Sequence, residues 1–319
     1  MTRNIRVAAV QMYCLPGQVN ANLLHAETQV ERATAQQVQL VLLPELMPSG
    51  YMLTEEIWNF AQTIEGEAVS WLQQTAKRLR IYLGFSFLEA VGEDFYNSFV
   101  LAGPDGNLLG RVRKNPPASV EAYFYRGGDD HHFIDTPLGR MGVSICYENL
   151  LYDQLCQLRN AQIDLLLSPA AAGRPKPLIP GDVKRFEKML IGGRAILAKA
   201  LGVPVITANR TGALETELPG GLPYLKSSFP GLSSITDSDG TIKAELGDEE
   251  ETIVADVTLG APRPTTHPKC YGRMWAVPVP WYAFIWPLTQ KMGIKDYHTN
   301  PRRKQHARRI TQPSKEKTS

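Results

Sequence analysis

The arrangement of apolar residues over the first 260 positions limits the folds open to this chain. Short apolar runs typical of buried strands alternate with segments whose apolar residues recur every three or four positions. Residues 5–11 and 40–43 are predicted strands, while one helix is expected to start at a cap on Asn20 and another to cover residues 182–201. We therefore expect an α/β fold, with two layered sheets or one large sheet, in one domain over residues 1–260.

Residues 261–319 depart from this pattern and are expected to form an extended C-terminal arm. The net charge of +2 hides a basic end, because residues 301–319 hold seven Lys and Arg and one acid, which leaves −4 on the rest. Such a charge run can indicate nucleic-acid binding, but this one has neither interleaved aromatic residues nor a recognised binding fold. We expect a solvated, flexible tail and no nucleic-acid partner.

The segment Trp275–Pro287 is the nearest candidate for a membrane contact. It is too short to cross a bilayer, and it contains three prolines. Its three tryptophans could anchor the chain at a membrane surface, although a packed arm or a subunit contact is the commoner use of such a segment. We expect no membrane span.

The cysteine and histidine pattern indicates neither a disulfide framework nor a metal site. None of the four cysteines is paired as C-x-x-C. His131 and His132 are adjacent, so on a strand they would point to opposite faces and could not readily share one metal. The start of the chain lacks the apolar core of a signal peptide. We expect a protein of the reducing cytoplasm.

Three polar residues each follow a strand-like run: Glu45, Lys114 and Cys146. In α/β folds, sites assemble at the carboxyl ends of strands, so the three side chains could converge. A buried Glu or Lys without a partner would also be costly. Taken singly, each residue has an ordinary alternative, since Glu45 could start a helix, Lys114 could be a surface lysine, and Cys146 could be a small core residue.

Cys146 is the most informative of the three. The segment Gly142–Ile145 predicts a buried strand that turns sharply into a helix beginning at the thiol. A cysteine at the positive end of a helix has free backbone N–H groups near it, and its thiolate is favoured. This position suits a nucleophile, provided that a base and an electrostatic partner lie nearby.

Several short stretches of the chain resemble the nitrilase, or carbon–nitrogen hydrolase, superfamily. The resemblance spans roughly residues 4–257 and rests on Val7–Met12, Leu43–Glu45, Gly50–Tyr51, Tyr96–Ser98, Pro104–Gly106, Arg113–Lys114, Ile145–Glu148, Arg194–Ala195 and Ala208–Asn209. It implies an α-β-β-α sandwich, commonly assembled as a homodimer. Its members use a Glu-Lys-Cys triad and need no cofactor.

The resemblance also implies a role for individual residues. Glu45 matches the general base, Lys114 the lysine that stabilises the tetrahedral intermediate, and Cys146 the nucleophile. Glu121 matches a second glutamate that helps to place the substrate or Lys114. We expect Tyr51 and Tyr147 to line the acyl pocket, the alternative being that both are packing tyrosines.

The chain departs from the family pattern at two places. Asn115-Pro116-Pro117 replaces the usual His-Leu-like pair after the lysine and is expected to stiffen that loop. The helix that reads Arg-Ala-x-Glu-Asn in the family is Arg194-Ala195-Ile196-Leu197-Ala198 here, and both later polar residues are lost. Since this helix commonly packs a dimer, Gly192-Gly193 just before it could allow a close helix contact.

These residues favour hydrolysis of a small amide to a carboxylate and ammonia through a cysteine thioester. The nucleophile segment reads Cys-Tyr-Glu, between the Cys-Trp-Glu of nitrilases and the Cys-Tyr-Asp of many amidases. Hydrolysis of a nitrile therefore stays an alternative. Acyl transfer and a catalytically idle binding module are further alternatives.

Overall fold

The computed structural model describes residues 2–312 and confirms the expected alternation of strands and helices. The helices are α1 (Val19–Thr34), α2 (Glu67–Leu79), α3 (Tyr152–Asn160), α4 (Asp182–Leu201), α5 (Ile285–Thr299) and α6 (Pro301–Thr311). The strands are β1 (Arg3–Gln11), β2 (Leu40–Leu42), β3 (Tyr82–Val91), β4 (Asp94–Ala102), β5 (Leu108–Arg113), β6 (Phe133–Thr136), β7 (Gly139–Val143), β8 (Leu165–Pro169), β9 (Val205–Ala208), β10 (Thr211–Thr216), β11 (Leu225–Pro230), β12 (Ser234–Thr236), β13 (Ile242–Glu245) and β14 (Glu251–Leu259).

The strands form two six-stranded sheets rather than one large sheet. The first sheet has the order β14-β1-β2-β3-β4-β5, and the second has the order β13-β12-β9-β8-β7-β6. Strands β10 and β11 form a separate antiparallel pair. Strand β2 is parallel to β1 and β3 in the first sheet, and β8 is parallel to β7 and β9 in the second. Within each sheet, the carboxyl ends of these three strands therefore lie at the same edge.

Apolar residues alternate between two layers in the central strands, and this alternation builds a sandwich. In β8, Leu165 and Leu167 face the core between the two sheets, whereas Leu166 faces the core under α3 and α4. In β2, Leu40 and Leu42 face the core between the sheets, and Val41 packs under α1 and α2. Successive strand side chains point to opposite faces, so each sheet buries both of its surfaces. The predicted α-β-β-α sandwich is confirmed.

The first helix begins one residue before the expected cap. Gln18 is the N-cap of α1 and makes no capping hydrogen bond with its side chain. Asn20 therefore lies inside the helix. Asn22, one turn into α1, is buried and its side chain bonds the backbone of Leu15 and of Pro48. The side chain that anchors this end of α1 thus ties the helix to two loops.

The basic segment differs from the expected flexible tail over its described part. Residues 301–311 form α6, and Arg303 is only 4% exposed because it pairs with Asp94 and donates to the Glu93 carbonyl. Arg308 pairs with the Glu93 carboxylate. Acidic residues in the turn between β3 and β4 thus explain why the segment packs on the body. Residues 313–319 lie outside the described residues.

The aromatic segment Trp275–Pro287 packs on the domain through several of its rings. Trp286 makes edge-to-face contacts with Tyr147, Trp275 and Tyr282, at ring-centroid distances of 5.9, 6.0 and 6.1 Å. Within residues 2–312, no helix is both long enough and apolar enough to cross a membrane. The segment is therefore a packed arm in this structure.

Candidate active site

The structure brings the three strand-end residues together with Glu121. Glu45 follows β2, Lys114 follows β5 and Cys146 follows β7, so two of them come from the first sheet and one from the second. Glu121 lies in a short 3₁₀ helix, Ser119–Tyr123, after β5. Glu45 and Lys114 have no exposed surface, and Glu121 is 2% exposed. The ordinary alternatives of a surface lysine and an exposed helix-start acid do not describe Lys114 and Glu45.

Lys114 bridges two buried carboxylates. Its Nζ lies 2.7 Å from Glu45 Oε1 and 2.7 Å from Glu121 Oε2. Burial lowers the pKa of Lys114, but the carboxylates of Glu121 and Glu45 outweigh this effect and hold the pKa well above its usual range. Tyr51 donates its hydroxyl to Glu121 Oε1 at 2.9 Å. The lysine is thus a fixed ammonium group whose third proton is free of both carboxylates.

Glu45 is held by donors on both of its oxygens. Asn97 Nδ2 donates to Oε1 at 2.7 Å, and the Ala171 backbone N–H donates to Oε2 at 2.8 Å. The Cys146 thiol lies close enough to this carboxylate to lower its pKa slightly. Burial raises the pKa of Glu45 above its usual value, Lys114 lowers it in part, and Glu121 raises it further. A carboxylate with a raised pKa next to a thiol suits a general base.

Cys146 occupies the expected sharp turn, but its thiol is not activated as the sequence suggested. Its φ of 54° lies in the left-handed region, which is a strained conformation for a residue with a side chain. The helix that begins there is a five-residue 3₁₀ turn, Cys146–Leu150, and α3 starts only at Tyr152. Burial raises the pKa of the thiol well above its usual value, and the nearby charge of Glu45 raises it further. Lys114 lowers this pKa only in part. The expectation of a favoured thiolate was wrong, because so short a turn does not offset burial beside a carboxylate.

A third buried carboxylate, which the sequence reasoning did not single out, joins the loops of Lys114 and Cys146. Glu148 Oε1 accepts from the Asn115 backbone N–H at 2.6 Å, and its Oε2 accepts from the Ile145 backbone N–H at 2.5 Å. His132 Nε2 lies 2.8 Å from the same Oε1. The available sequence signal was an acid three residues after Ile145, the spacing at which a side chain can return to the backbone.

A cavity of about 420 Å³ opens in front of Cys146. Tyr51 and Tyr147 both lie on its wall. On the α4 side, Arg194 also lines the cavity, and its Nη1 is buried without a hydrogen-bond partner among the described residues. Burial lowers the pKa of this guanidinium to about 10. Leu197 stands one turn later and is apolar, so it offers Arg194 no hydrogen-bond partner there.

We suggested that Gly192-Gly193 could allow a close helix contact in a dimer, but only one of the two glycines has free space beside it. A Cβ added to Gly193 would meet Val277 of the C-terminal arm at 3.5 Å, whereas one added to Gly192 would meet no atom within 4 Å. The Gly193 side of α4 is therefore occupied by the chain's own arm. In residues 2–312 there is no cluster of three or more His, Cys, Asp or Glu able to hold a metal ion.

Comparisons with known proteins identify the family of this chain. The family model described as carbon-nitrogen hydrolase matches residues 6–266. A nitrilase from Pyrococcus abyssi is 32% identical over 80% of this chain and 90% of its own length. The omega-amidase NIT2-B of Xenopus laevis is 30% identical, with 80% and 88% covered, and the N-carbamoylputrescine amidase of Solanum lycopersicum is 28% identical, with 79% and 85% covered.

Solved structures share the fold at lower identity. A carbon-nitrogen hydrolase from Helicobacter pylori superposes with a TM-score of 0.73 at 22% identity, covering 80% of this chain and 89% of the other. An amidase from Nesterenkonia sp. AN1 has a TM-score of 0.66 at 23% identity, covering 79% and 89%. That amidase, as an active-site mutant, carries the acetamide moiety of fluoroacetamide covalently at its active site cysteine. At these identities the likeness establishes the architecture alone.

Proposed function

The chain belongs to the carbon–nitrogen hydrolase family, and we propose that it hydrolyses a small-molecule amide to a carboxylate and ammonia. One observation carries this proposal: the buried Glu45 carboxylate lies 2.7 Å from Lys114 Nζ and close enough to the Cys146 thiol for each group to shift the pKa of the other. A base, a cation and a nucleophile gathered in one buried cluster are what attack on an amide carbonyl requires.

In the first half of the reaction, Glu45 takes the thiol proton as the Cys146 sulfur attacks the carbonyl carbon. The ammonium of Lys114 and the backbone N–H of Tyr147 stabilise the oxyanion that forms. Glu45 then returns the proton to the nitrogen as the C–N bond breaks. Ammonia leaves, and the acyl group stays on sulfur as a thioester.

In the second half, Glu45 activates a water molecule that attacks the thioester carbonyl. The same two donors stabilise the second oxyanion, and the C–S bond breaks with return of the proton to sulfur. The carboxylate leaves and the resting thiol is restored. The raised pKa of the Cys146 thiol supports this cycle, because the resting group is then the protonated form that Glu45 must deprotonate.

Glu121 and Tyr51 have supporting parts in the proposal. Glu121 binds Lys114 Nζ alongside Glu45, and Tyr51 donates to the second oxygen of Glu121. The ammonium is thus presented to the substrate in one orientation, at no entropic cost during the reaction. Tyr147 contributes its ring to the cavity wall.

Nitrile hydrolysis is the second candidate, and the 32% identity to a nitrilase favours it. The same thiol would attack a nitrile carbon, and two water molecules would be consumed before ammonia and acid are formed. A panel of matched amides and nitriles separates the two reactions. Amide turnover without nitrile turnover supports the amidase proposal, and the reverse result replaces it with a nitrilase.

The test is ammonia release by the full chain, with Cys146→Ala as the matched control. We expect ammonia from at least one amide with the wild-type protein and none above background with the variant. Ammonia released equally by Cys146→Ala would contradict the mechanism. No ammonia from any amide or nitrile, together with no adduct on Cys146, would favour a binding module.

We also propose a homodimer in a reducing compartment. Large apolar side chains on the C-terminal arm are exposed, among them Trp281, Phe284, Leu288 and Met292, and a second copy could cover them. All four cysteines are free, which suits a reducing environment. The mass in solution, measured by light scattering, tests the dimer.

A further inference from the structure

The C-terminal arm, which from residue 267 lies outside the family match, contributes to the candidate active site. Helix α5 packs against the 3₁₀ helix Ser119–Tyr123 that carries Glu121. Ser119 Oγ lies 2.6 Å from Thr289 Oγ1, and Gln290 Nε2 donates to the Pro117 carbonyl at 2.7 Å. The arm therefore fixes the segment that presents Glu121 to Lys114.

Gly293 shows how closely the two elements approach. A Cβ added to Gly293 would stand 2.8 Å from the backbone nitrogen of Tyr123, a distance that real Cβ atoms do not adopt. Only glycine lets α5 lie this near the backbone of the Glu121 segment. The arm is thus a fixed wall of the site.

The arm also closes one side of the cavity in front of Cys146. Tyr282, Ile285, Trp286 and Thr289 line it. Trp286 is held by edge-to-face contacts with Tyr147 and Tyr282, so its indole is a preformed surface rather than a mobile side chain.

The remaining walls are largely apolar, with Arg194 of α4 as a charged exception. Helix α4 contributes Phe186, Met189 and Leu197, and the β10–β11 pair contributes Leu214 and Leu225. A cavity of about 420 Å³ lies in the size range that encloses a drug-sized ligand. Its volume far exceeds what the acetyl group of acetamide would fill, and most of its lining offers no hydrogen bond. The cavity therefore matches a large, apolar acyl group.

Resting on the proposed function, we propose that the substrate is a primary amide whose acyl group is bulky and apolar, and that Trp286 of the C-terminal arm determines this specificity. The amide group lies against Cys146 and Lys114. The apolar end of the acyl group packs between Trp286 and the α4 wall.

Turnover of an amide series tests the substrate class. With the wild-type protein, kcat/KM for ammonia release rises from acetamide to hexanamide and 3-phenylpropanamide, by about 100-fold or more over the series, because each added methylene is buried. Equal or falling kcat/KM along the series overturns the inference while leaving the amidase proposal standing.

Variants of the arm test the role of Trp286. Trp286→Ala lowers kcat/KM for 3-phenylpropanamide by about 30-fold and leaves acetamide within about threefold, and Trp286→Phe recovers most of the loss. Lys295→Ala, on the same helix but exposed and outside the cavity, leaves both substrates unchanged. An equal loss for both amides in Trp286→Ala would mean that the residue supports the fold alone and would overturn its assigned role.

Binding without turnover keeps the inference testable if no amide is hydrolysed. Calorimetric titration of the Cys146→Ala variant measures affinity for each amide directly. We expect 3-phenylpropanamide to bind at least about 30-fold more tightly than acetamide, and addition of Trp286→Ala to remove most of that difference. Equal affinities would overturn the inference independently of the proposed function.

Discussion

The ring nitrogen Nε2 of His132 lies 2.8 Å from Oε1 of Glu148, and both side chains are buried. The same carboxylate accepts backbone N–H groups from Asn115, beside Lys114, and from Ile145, beside Cys146. One acid therefore joins the loop that carries Lys114 to the loop that carries Cys146. Burial lowers the pKa of His132, but Glu148 outweighs it and the pKa is raised.

Loss of the hydrogen bond from His132 to Glu148 should slow catalysis more than it weakens binding. We expect His132→Leu to lower kcat by about 30-fold with KM within about twofold, because a small displacement of Lys114 or Cys146 disturbs the reacting geometry. His132→Gln keeps an N–H donor and should recover most of the rate. Steady-state kinetics of the two variants, with melting temperatures alongside, checks this. Equal kcat in His132→Leu and wild type would contradict it.

The raised pKa of Glu45 predicts where activity is lost at low pH. Glu45 must be ionised to take the thiol proton, so kcat/KM falls as the pH drops through its pKa. Burial raises that pKa above 4.5, the usual value for a glutamate. The midpoint of the fall in kcat/KM on the acidic side should therefore lie above pH 4.5. A pH profile of kcat/KM with an uncharged amide measures this midpoint. A midpoint at or below 4.5 would mean that Glu45 is not the base or that its environment is different.

The buried arginine of α6 should stabilise the whole molecule. Arg303 pairs with Asp94, donates to the Glu93 carbonyl and stacks on the Tyr297 ring, with 4.4 Å from its guanidinium carbon to the ring centroid. We expect Arg303→Met to lower the free energy of unfolding by about 2 kcal/mol, since Asp94 would lose a buried partner. Urea unfolding measures this.

Arg309 on the same helix is the matched control. It is exposed, so Arg309→Met should change the free energy of unfolding by less than about 0.5 kcal/mol. Equal effects of the two substitutions would show that α6 does not pack on the body as described, and that the basic segment is a solvated tail.

Much of the fold and the positions of the main site residues followed from local sequence patterns. A short, continuously apolar run such as residues 40–43 indicates a strand buried on both faces, and a polar residue soon after such a strand is expected near a sheet edge. We expected Glu45 and Cys146 at strand ends for this reason, and in the structure they follow β2 and β7. Helix α4 has the predicted bounds because Gly181 and Gly202 flank it.

Features that depend on contacts between distant segments were not predictable. The pKa of Cys146 is set by burial beside Glu45, which is 101 positions away in the chain, and not by the local helix. His132 meets Glu148 only because β6 and β7 pair. The contact between α5 and the Glu121 segment joins residues about 170 positions apart, and no periodicity indicates it.

Mass analysis of the protein during turnover tests the central claim most directly. The wild-type chain is mixed with an amide, and the reaction is quenched in acid within the first turnovers. The protein is then digested, and the mass of the peptide that contains Cys146 is measured by mass spectrometry. We predict an increase equal to the mass of the amide less ammonia, on Cys146 alone, and none in Cys146→Ala. Ammonia release with no such adduct, or with equal release by Cys146→Ala, would contradict thioester catalysis by Cys146.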